Sequence, residues 1–283
     1  MTFVALLAVV VAVALVSFAI LLPACVGVDR LRAALERPNR FHDRLVAVSP
    51  FIGGLAVVLL LNKGLLNRIE HFSHRYGVEA TMWFYAVEGD LVATVQDTLP
   101  DWGLYYFGPM YVFGYVVLLV FPLVAYLFAS SLRPIKTLVT AYAINYAVAV
   151  GCYAAVLAYG PRNYHRLPGA DPDATRVEEP LLDSFREVTQ LTARVNVETN
   201  VFPSLHTSLS VTVLLLAVST HEEFPRWTPV AALLAGSIVL ATMYLGIHWA
   251  TDVVAGVLLA AGSIAGAARI VAYTERRRSP DAQ

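Results

Sequence analysis

The sequence contains little charge and almost no cysteine. Only 14% of its 283 residues are Asp, Glu, Lys or Arg, against about 25% in a typical soluble domain, which argues against a soluble fold. The formal charge of −1 and the lack of a basic stripe interleaved with aromatic residues exclude nucleic acid as a partner. Cys25 and Cys152 are too few for a disulfide framework and have no partner at metal-ligand spacing. We therefore expect both to be packing residues.

Long apolar runs dominate the chain. Hydrophobic residues make up 58% of it, and a run of about 17 to 25 such residues has the length of a membrane-spanning helix. The sequence thus predicts an all-α fold, a polytopic transmembrane helical bundle. Six spans are the alternative to seven, because the second run is short and the fifth begins with polar residues. The predicted spans lie near residues 3–26, 46–62, 105–129, 135–159, 203–219, 228–246 and 250–272.

The distribution of arginine predicts the orientation of this bundle, because short cytoplasmic loops are enriched in Lys and Arg. With seven spans all the basic short loops fall on one side, and the connections near 63–104, 160–202 and 247–249 face outward. Arginine greatly outnumbers lysine, which is typical of a GC-rich or salt-adapted prokaryote, so we expect a prokaryotic cell membrane. The cytoplasmic basic residues are Arg30, Arg32, Arg37, Arg40, Arg44, Arg133, Lys136, Arg226, Arg276, Arg277 and Arg278.

Two of the outward connections carry apolar residues at helical spacing, which predicts helices lying on the membrane surface. The first pattern repeats every four residues and the second follows Pro180. The first consists of Trp83, Val87, Leu91 and Val95, and the second of Leu181, Leu182, Phe185, Val188 and Leu191.

Ionisable residues are costly inside a membrane, so those that converge at span ends indicate a functional site. Arg162 and His165–Arg166 follow the fourth predicted span. The planar fork of donors on an arginine suits phosphate oxygens. An arginine that anchors a span at the lipid headgroups is an equally good interpretation of these residues alone.

Pro203-Ser204-Leu205-His206 opens the fifth predicted span. Proline in the first helical turn leaves the following N–H groups free, and the positive end of the helix dipole favours an anion there. Ser204 could contribute to such a phosphate site, and His206 could give a proton to a leaving oxygen. A histidine that is simply hydrogen-bonded at the interface is the alternative.

His248 and Asp252 join the sixth and seventh predicted spans. Four residues apart, they share one helix face, so the carboxylate can hold one ring nitrogen protonated and leave the other as a nucleophile. A structural pair or a transporter's proton relay would use the same two residues. Together the three clusters supply what a phosphoryl-transfer site needs: a nucleophile, a proton donor and cationic or backbone donors for the phosphate oxygens.

These residues resemble the motifs of the type 2 phosphatidic acid phosphatase superfamily, which also includes vanadium haloperoxidases and inositol phosphorylceramide synthases. The family's Pro-Ser-Gly-His is similar to residues 203–206. Its Ser-Arg, followed by His and then Asp, is similar to the stretch that ends in His248 and Asp252. The resemblance covers roughly residues 135–272 and implies that His248 is the phosphorylated nucleophile, Asp252 its orienter and His206 the general acid.

The chain departs from the family pattern at two motifs. Ala241-Thr242 stands where the family has Ser-Arg, and the family's first motif, a lysine and then Arg-Pro at a span end, is not matched. Arg162 or Arg166 is then the nearest phosphate ligand by topology, and Arg194 is the reserve candidate. Leu205 in place of glycine and the missing arginine look more like the inositol phosphorylceramide synthase branch, so hydrolysis and transfer both stay open.

The resemblance implies a six-helix phosphatase-type core plus an extra N-terminal span. We divide the chain into an N-terminal helix with an arginine-rich connection (1–45), the membrane-embedded catalytic domain (46–275) and a basic tail (276–283). The expected substrate is a lipid or polyisoprenoid phosphate, with no metal and no cofactor, since no acidic cluster has Mg²⁺-binding spacing. A proton-relay transporter and a catalytically inactive membrane scaffold are the rival functions, and the oligomeric state is open.

Overall fold

The computed structural model describes residues 3–100, 102–179, 199 and 201–278, and this part of the chain is mostly helical. It also contains a pair of two-residue parallel strands, β1 (Val78–Glu79) and β2 (Val156–Leu157). The helices are α1 (Phe3–Leu21), α2 (Val28–Glu36), α3 (Pro38–Tyr76), α4 (Thr81–Glu88), α5 (Leu91–Thr98), α6 (Gly103–Pro109), α7 (Tyr115–Ala125), α8 (Arg133–Ala155), α9 (Leu205–Ser219), α10 (Trp227–Tyr244) and α11 (Ala250–Arg278). A π-helical turn follows α1 (Leu22–Val26) and another joins α6 to α7 (Met110–Gly114).

Within the described ranges, six helical segments are long and apolar enough to cross a membrane, and they confirm the predicted all-α polytopic bundle. They are Val4–Val26, Pro38–Leu65, Gly103–Phe128, Arg133–Ala155, Trp227–Tyr244 and Ala250–Arg277. The fifth predicted span is the shorter apolar helix α9. Its 15 residues extend only about 22 Å at about 1.5 Å per residue, less than the roughly 30 Å of a hydrocarbon core.

The helices differ in how far they are covered by the rest of the protein. Only 6% of the most apolar window is buried in Val4–Val26 and in Pro38–Leu65, against 44% in Gly103–Phe128 and in Trp227–Tyr244. The first two segments therefore lie at the periphery, where their side chains meet lipid. Short α9 lies centrally, packed on α7, α8, α10 and α11, with Leu209 and Val213 fully buried.

Three boundaries differ from the sequence prediction. The first connection is not a loop, because α2 fills most of it and α3 begins at Pro38, whose fixed φ suits the first helical turn. The helix of the second span does not end at Asn62-Lys63 but continues to Tyr76. The last helix likewise continues through Arg276 and Arg277. Charged residues remain helical here because a helix can leave the bilayer without losing its backbone hydrogen bonds.

The predicted surface helix around Trp83 is two helices rather than one. Gly89 separates α4 from α5 with φ +56°, a conformation that ends a helix and that glycine adopts without strain. Trp83 and Val87 on α4 and Leu91 on α5 remain largely exposed, as expected for residues at a membrane surface. The second predicted surface helix, after Pro180, lies outside the described residues.

One end of the bundle collects the basic residues, and we call it the arginine-rich end. Arg226 donates to the carbonyl of Ala24, Arg44 donates to the carbonyl of Ala129, and Arg30 pairs with Glu223 at 3.4 Å. Lys136 at the start of α8 pairs with Glu275 near the end of α11 at 3.3 Å. The predicted grouping of the basic connections at one end is thus present.

Cys25 and Cys152 are both free thiols, the first buried and the second half-buried.

The start of α9 approaches α11 closely at Gly256. A Cβ atom at this position would lie 2.7 Å from the carbonyl oxygen of Ser204 and 3.0 Å from Cβ of Thr207. Only glycine lets the two helices meet at this distance, which keeps the start of α9 against α11.

We predict that Gly256→Ala destabilises the protein by about 1–3 kcal/mol, because the added methyl group overpacks this contact. Gly262→Ala on the same helix is the matched control, since a Cβ there meets nothing within 4 Å and alanine favours the helix by up to about 1 kcal/mol. Unfolding in mixed micelles measures both variants. Equal stability of the two would contradict the close approach of α9 and α11.

Candidate active site

A tight turn after α10 delivers His248 to the end of the bundle opposite the arginine-rich end. Gly246 has φ +64°, and a Cβ there would lie 2.8 Å from Val177. The carbonyl of Thr242 accepts the N–H groups of both Ile247 (3.0 Å) and His248 (3.1 Å). The backbone of the nucleophile candidate is thus fixed before its side chain makes any contact.

His248 and Asp252 face each other, as their spacing of four residues predicts. Nδ1 of His248 lies 3.4 Å from Oδ2 of Asp252, and both side chains are almost fully buried. The same oxygen accepts the backbone N–H of Trp249 at 2.9 Å. The carboxylate therefore serves both as a cap for the start of α11 and as a partner for the imidazole.

Burial favours the neutral form of the His248 ring. Its pKa is lowered to about 3, chiefly by burial and to a smaller extent by the positive charge of Arg162, while a hydrogen bond with the backbone of Val201 acts in the opposite direction. A neutral imidazole has an unprotonated ring nitrogen, which a nucleophile requires. If Asp252 holds the proton on Nδ1, that nitrogen is Nε2.

His206 lies across from His248, on the first turn of α9. The two ring centroids are 6.3 Å apart. His206 is also packed between Tyr111 and Tyr115, each with a centroid distance of 4.5 Å. Tyr111 lies in the π-helical turn Met110–Gly114 and Tyr115 directly after it, so this irregular turn presents both rings to the histidine. The two tyrosines therefore restrict the orientation of the His206 ring.

Ser204 caps α9 and is fully buried. Its hydroxyl oxygen accepts the N–H of Thr207 at 3.2 Å, and its own N–H donates to the carbonyl of Asp252 at 3.1 Å. Ser204 thus ties the segment that carries His206 to the helix that carries Asp252. Its predicted contact with a phosphate stays a prediction, and would use the hydroxyl hydrogen.

The arginine candidates differ in the partners that their side chains have in the structure. The backbone N–H of Arg162 donates to Gly246, two residues before His248, and its half-buried side chain forms no hydrogen bond or ion pair with the residues that the structure describes. Arg166 instead binds Asn163 and pairs with Glu179 at the exposed surface. Arg194 lies outside the described residues. Among the described candidates, Arg162 is therefore the one whose positive charge acts on the His248 imidazole.

Three residues of the site were not predicted from the sequence. Tyr111 and Tyr115 are four residues apart on one helix face, a signal that is indistinguishable from ordinary aromatic packing. Glu88 binds the start of α11, although it lies 162 positions away in the sequence. No local pattern predicts a contact of that range.

The profile of the PAP2 superfamily matches residues 92–266. The chain belongs to the PAP2 superfamily. The match covers α5 through most of α11 and includes His206, His248 and Asp252. No curated protein and no solved structure matches the chain significantly.

Membership of the PAP2 superfamily supports a phosphatase-type membrane enzyme, and the resemblance of the sequence motifs to this family is confirmed. The matched region begins after α1 and α3, the two peripheral segments. The finer resemblance to inositol phosphorylceramide synthases stays a hypothesis, because the profile describes the superfamily as a whole.

We predict that Arg162→Ala weakens binding of orthovanadate, a phosphate mimic, by about 10- to 100-fold, the effect of one hydrogen bond to a charged group. Arg162→Lys should also weaken it, because a point charge does not reproduce the bidentate fork. Arg166→Ala, in the same 3₁₀-helical segment Pro161–Arg166, is the matched control and should change affinity less than twofold. Titration calorimetry measures all three.

The Arg194→Ala variant covers the reserve candidate. If it weakens vanadate binding and Arg162→Ala does not, Arg194 is the ligand. If alanine at Arg162, Arg166 and Arg194 together leaves both vanadate affinity and turnover intact, the missing family arginine has no substitute and the site is wrong.

Proposed function

We propose that this PAP2 superfamily member removes the phosphate of a lipid or polyisoprenoid substrate through a phosphohistidine on His248. The observation that carries the proposal is the pair of neighbouring imidazoles, 6.3 Å apart between ring centroids, with a carboxylate beside one of them. A phosphoryl group attacked by one ring would place its leaving oxygen toward the other.

In the first step, Nε2 of His248 attacks phosphorus while the bond from phosphorus to the alkoxide oxygen breaks. Protonated His206 gives its proton to that oxygen, so the lipid leaves as an alcohol. Asp252 accepts the hydrogen bond of Nδ1–H and stabilises the positive ring that forms. A phosphate anion between the rings favours the protonated form of His206 that this step needs.

In the second step, an oxygen nucleophile attacks the phosphorus of the phosphohistidine and the bond to Nε2 breaks. Neutral His206 takes the proton of the attacking hydroxyl and is thereby ready for the next cycle. Water as the nucleophile gives a phosphatase, and the hydroxyl of an acceptor gives a transferase. Arg162 and the first N–H groups of α9 supply the positive charge that the phosphate oxygens require.

Transfer to an acceptor hydroxyl is the second candidate function, and two residues favour it. Leu205 stands between Ser204 and His206 where the family motif has glycine, and it packs against Tyr153 and Ala149 of α8. Thr242 stands in the family's arginine position, with its hydroxyl bound to the carbonyl of Val239. An apolar wall and reduced positive charge suit a lipid headgroup acceptor better than water. Product analysis with and without lipid alcohols separates hydrolysis from transfer.

The further proposal on location is that the histidines face outside the cytoplasm of a prokaryotic cell. The arginine-rich end carries Arg30, Arg44 and Arg226, and short arginine-rich connections remain in the cytoplasm. Since His248 lies at the other end of the bundle, a substrate phosphate would reach it from the extracytoplasmic leaflet.

We predict that single cysteines at Asp173 and Arg277 react with a membrane-impermeant maleimide from opposite sides, in a background with Cys25 and Cys152 replaced by serine. Asp173 should be labelled in intact cells and Arg277 only in inverted vesicles. Labelling of both positions from one side would contradict the proposed topology.

We predict that brief reaction with ³²P-labelled substrate, followed by quenching in alkali, traps label on the wild-type protein and none on His248→Ala. His206→Ala should slow the release of an alkoxide by about 10²–10⁴-fold, the usual contribution of a general acid. The same variant should largely spare the release of an aryl leaving group in the first step, because that group needs no proton. Asp252→Asn should leave the fold intact and weaken the nucleophile by permitting the wrong tautomer.

Two results would contradict this division of roles. Label on the His248→Ala protein would mean that another residue is phosphorylated. Equal losses in the rate of phosphohistidine formation from the alkoxide and aryl substrates in His206→Ala would mean that His206 does not protonate the leaving group. Proton uptake coupled to the transport of a solute, without any phosphate release, would favour a transporter, and inactivity in both assays would favour a scaffold.

A further inference from the structure

The start of α11 is held by a carboxylate from another part of the chain. Glu88 is the last residue of α4, and its Oε2 accepts the N–H of Ala250 at 2.8 Å while its Oε1 accepts the N–H of Thr251. Oδ2 of Asp252 accepts the preceding N–H, that of Trp249. Three consecutive N–H groups at the start of the helix, at 249, 250 and 251, are thus each bound by a carboxylate oxygen.

This arrangement determines where Asp252 lies relative to His248. Residues 249–252 form the connection between the imidazole and the carboxylate, and the N–H groups of a first helical turn have no partner within the helix. Glu88 binds two of them with two oxygens, which fixes both the position and the rotation of the turn. Negative charge is also favoured at this end of the helix dipole.

Glu88 is itself held firmly. Phe84, one turn earlier on α4, packs on Phe202 with a centroid distance of 5.5 Å. Tyr85 stacks on Tyr164 at 4.3 Å and lies edge-on to Trp249 at 6.4 Å. α4 is therefore packed against both segments that carry the histidines. The position of α4 in turn fixes the start of α11, because Glu88 at the end of α4 binds its N–H groups.

We infer that Glu88 is a positioning residue for the His248–Asp252 pair, acting through the backbone of the first turn of α11. The inference rests on the proposed function for its catalytic consequence, but not for its structural one. Glutamine cannot replace Glu88 fully, because its amide has one acceptor oxygen and would turn an NH₂ group toward the second N–H.

The experiment compares Glu88→Gln and Glu88→Ala with Glu223→Gln. Glu223 is the matched control because its carboxylate also binds a distant segment twice, through N–H (2.6 Å) and Oγ (3.2 Å) of Ser130, but at the arginine-rich end. The first readout compares the change in the rate of phosphohistidine formation with the change in KM. The second is hydrogen exchange of the Trp249 amide, which reports whether Asp252 still accepts its hydrogen bond.

We expect Glu88→Gln to slow phosphohistidine formation about 10-fold and Glu88→Ala on the order of 100-fold, the effect of a misplaced reacting group, with KM changed less than twofold. Trp249 exchange should accelerate at least about 10-fold, since protection follows local opening. Glu223→Gln should change neither quantity by more than twofold, even where its loss of thermal stability is the same.

The two readouts separate this inference from the proposed function. If the wild-type protein traps no phosphate on His248, the proposed function fails, and exchange at Trp249 alone decides the role of Glu88. Unchanged Trp249 exchange in Glu88→Ala would overturn the positioning role. Slower phosphoryl transfer of equal size in Glu88→Ala and Glu223→Gln would overturn it as well, because the effect would then be general destabilisation.

Discussion

The site depends on one constraint, the burial of a carboxylate and an imidazole at the start of a membrane helix. Polar groups buried without partners cost several kcal/mol in apolar surroundings, so their positions are determined by the hydrogen bonds available to them. Asp252 satisfies the N–H of Trp249 and faces His248 with the same oxygen. Glu88 satisfies the next two N–H groups. The geometry of the imidazole thus follows from the capping of a helix.

The rest of the bundle divides its polar residues between two ends. At the arginine-rich end, Arg30 and Lys136 pair with carboxylates and Arg44 and Arg226 bind backbone carbonyls, so cations there are engaged in structure. At the other end Arg162 has no such partner among the described residues. The proposed function assigns this arginine to the oxygens of a phosphate anion. The most apolar windows of α1 and α3 are largely uncovered by the rest of the described chain.

Periodicity and motif spacing in the sequence predicted the helical bundle and part of the candidate site. Apolar runs located the spanning helices, and the interval between His248 and Asp252 predicted their contact, because a helix places residues i and i+4 on one face. Helix ends were less predictable. The apolar run of α3 ends near Lys63, but the helix continues beyond it with charged residues, which can remain helical outside the bilayer. Two features depend on tertiary contacts and leave no local pattern in the sequence. One is the difference in side-chain partners between Arg162 and Arg166, and the other is the capping role of Glu88.

The central claim is that the space between His206 and His248 binds the phosphoryl group undergoing transfer. A structure determined with orthovanadate, which adopts the trigonal-bipyramidal geometry of the transferring phosphoryl group, tests it most directly. The proposed mechanism predicts vanadium bonded to Nε2 of His248, with an apical oxygen within hydrogen-bond distance of His206 and equatorial oxygens bound by Arg162. Vanadate bound elsewhere, or bonded to His206 instead, would contradict it.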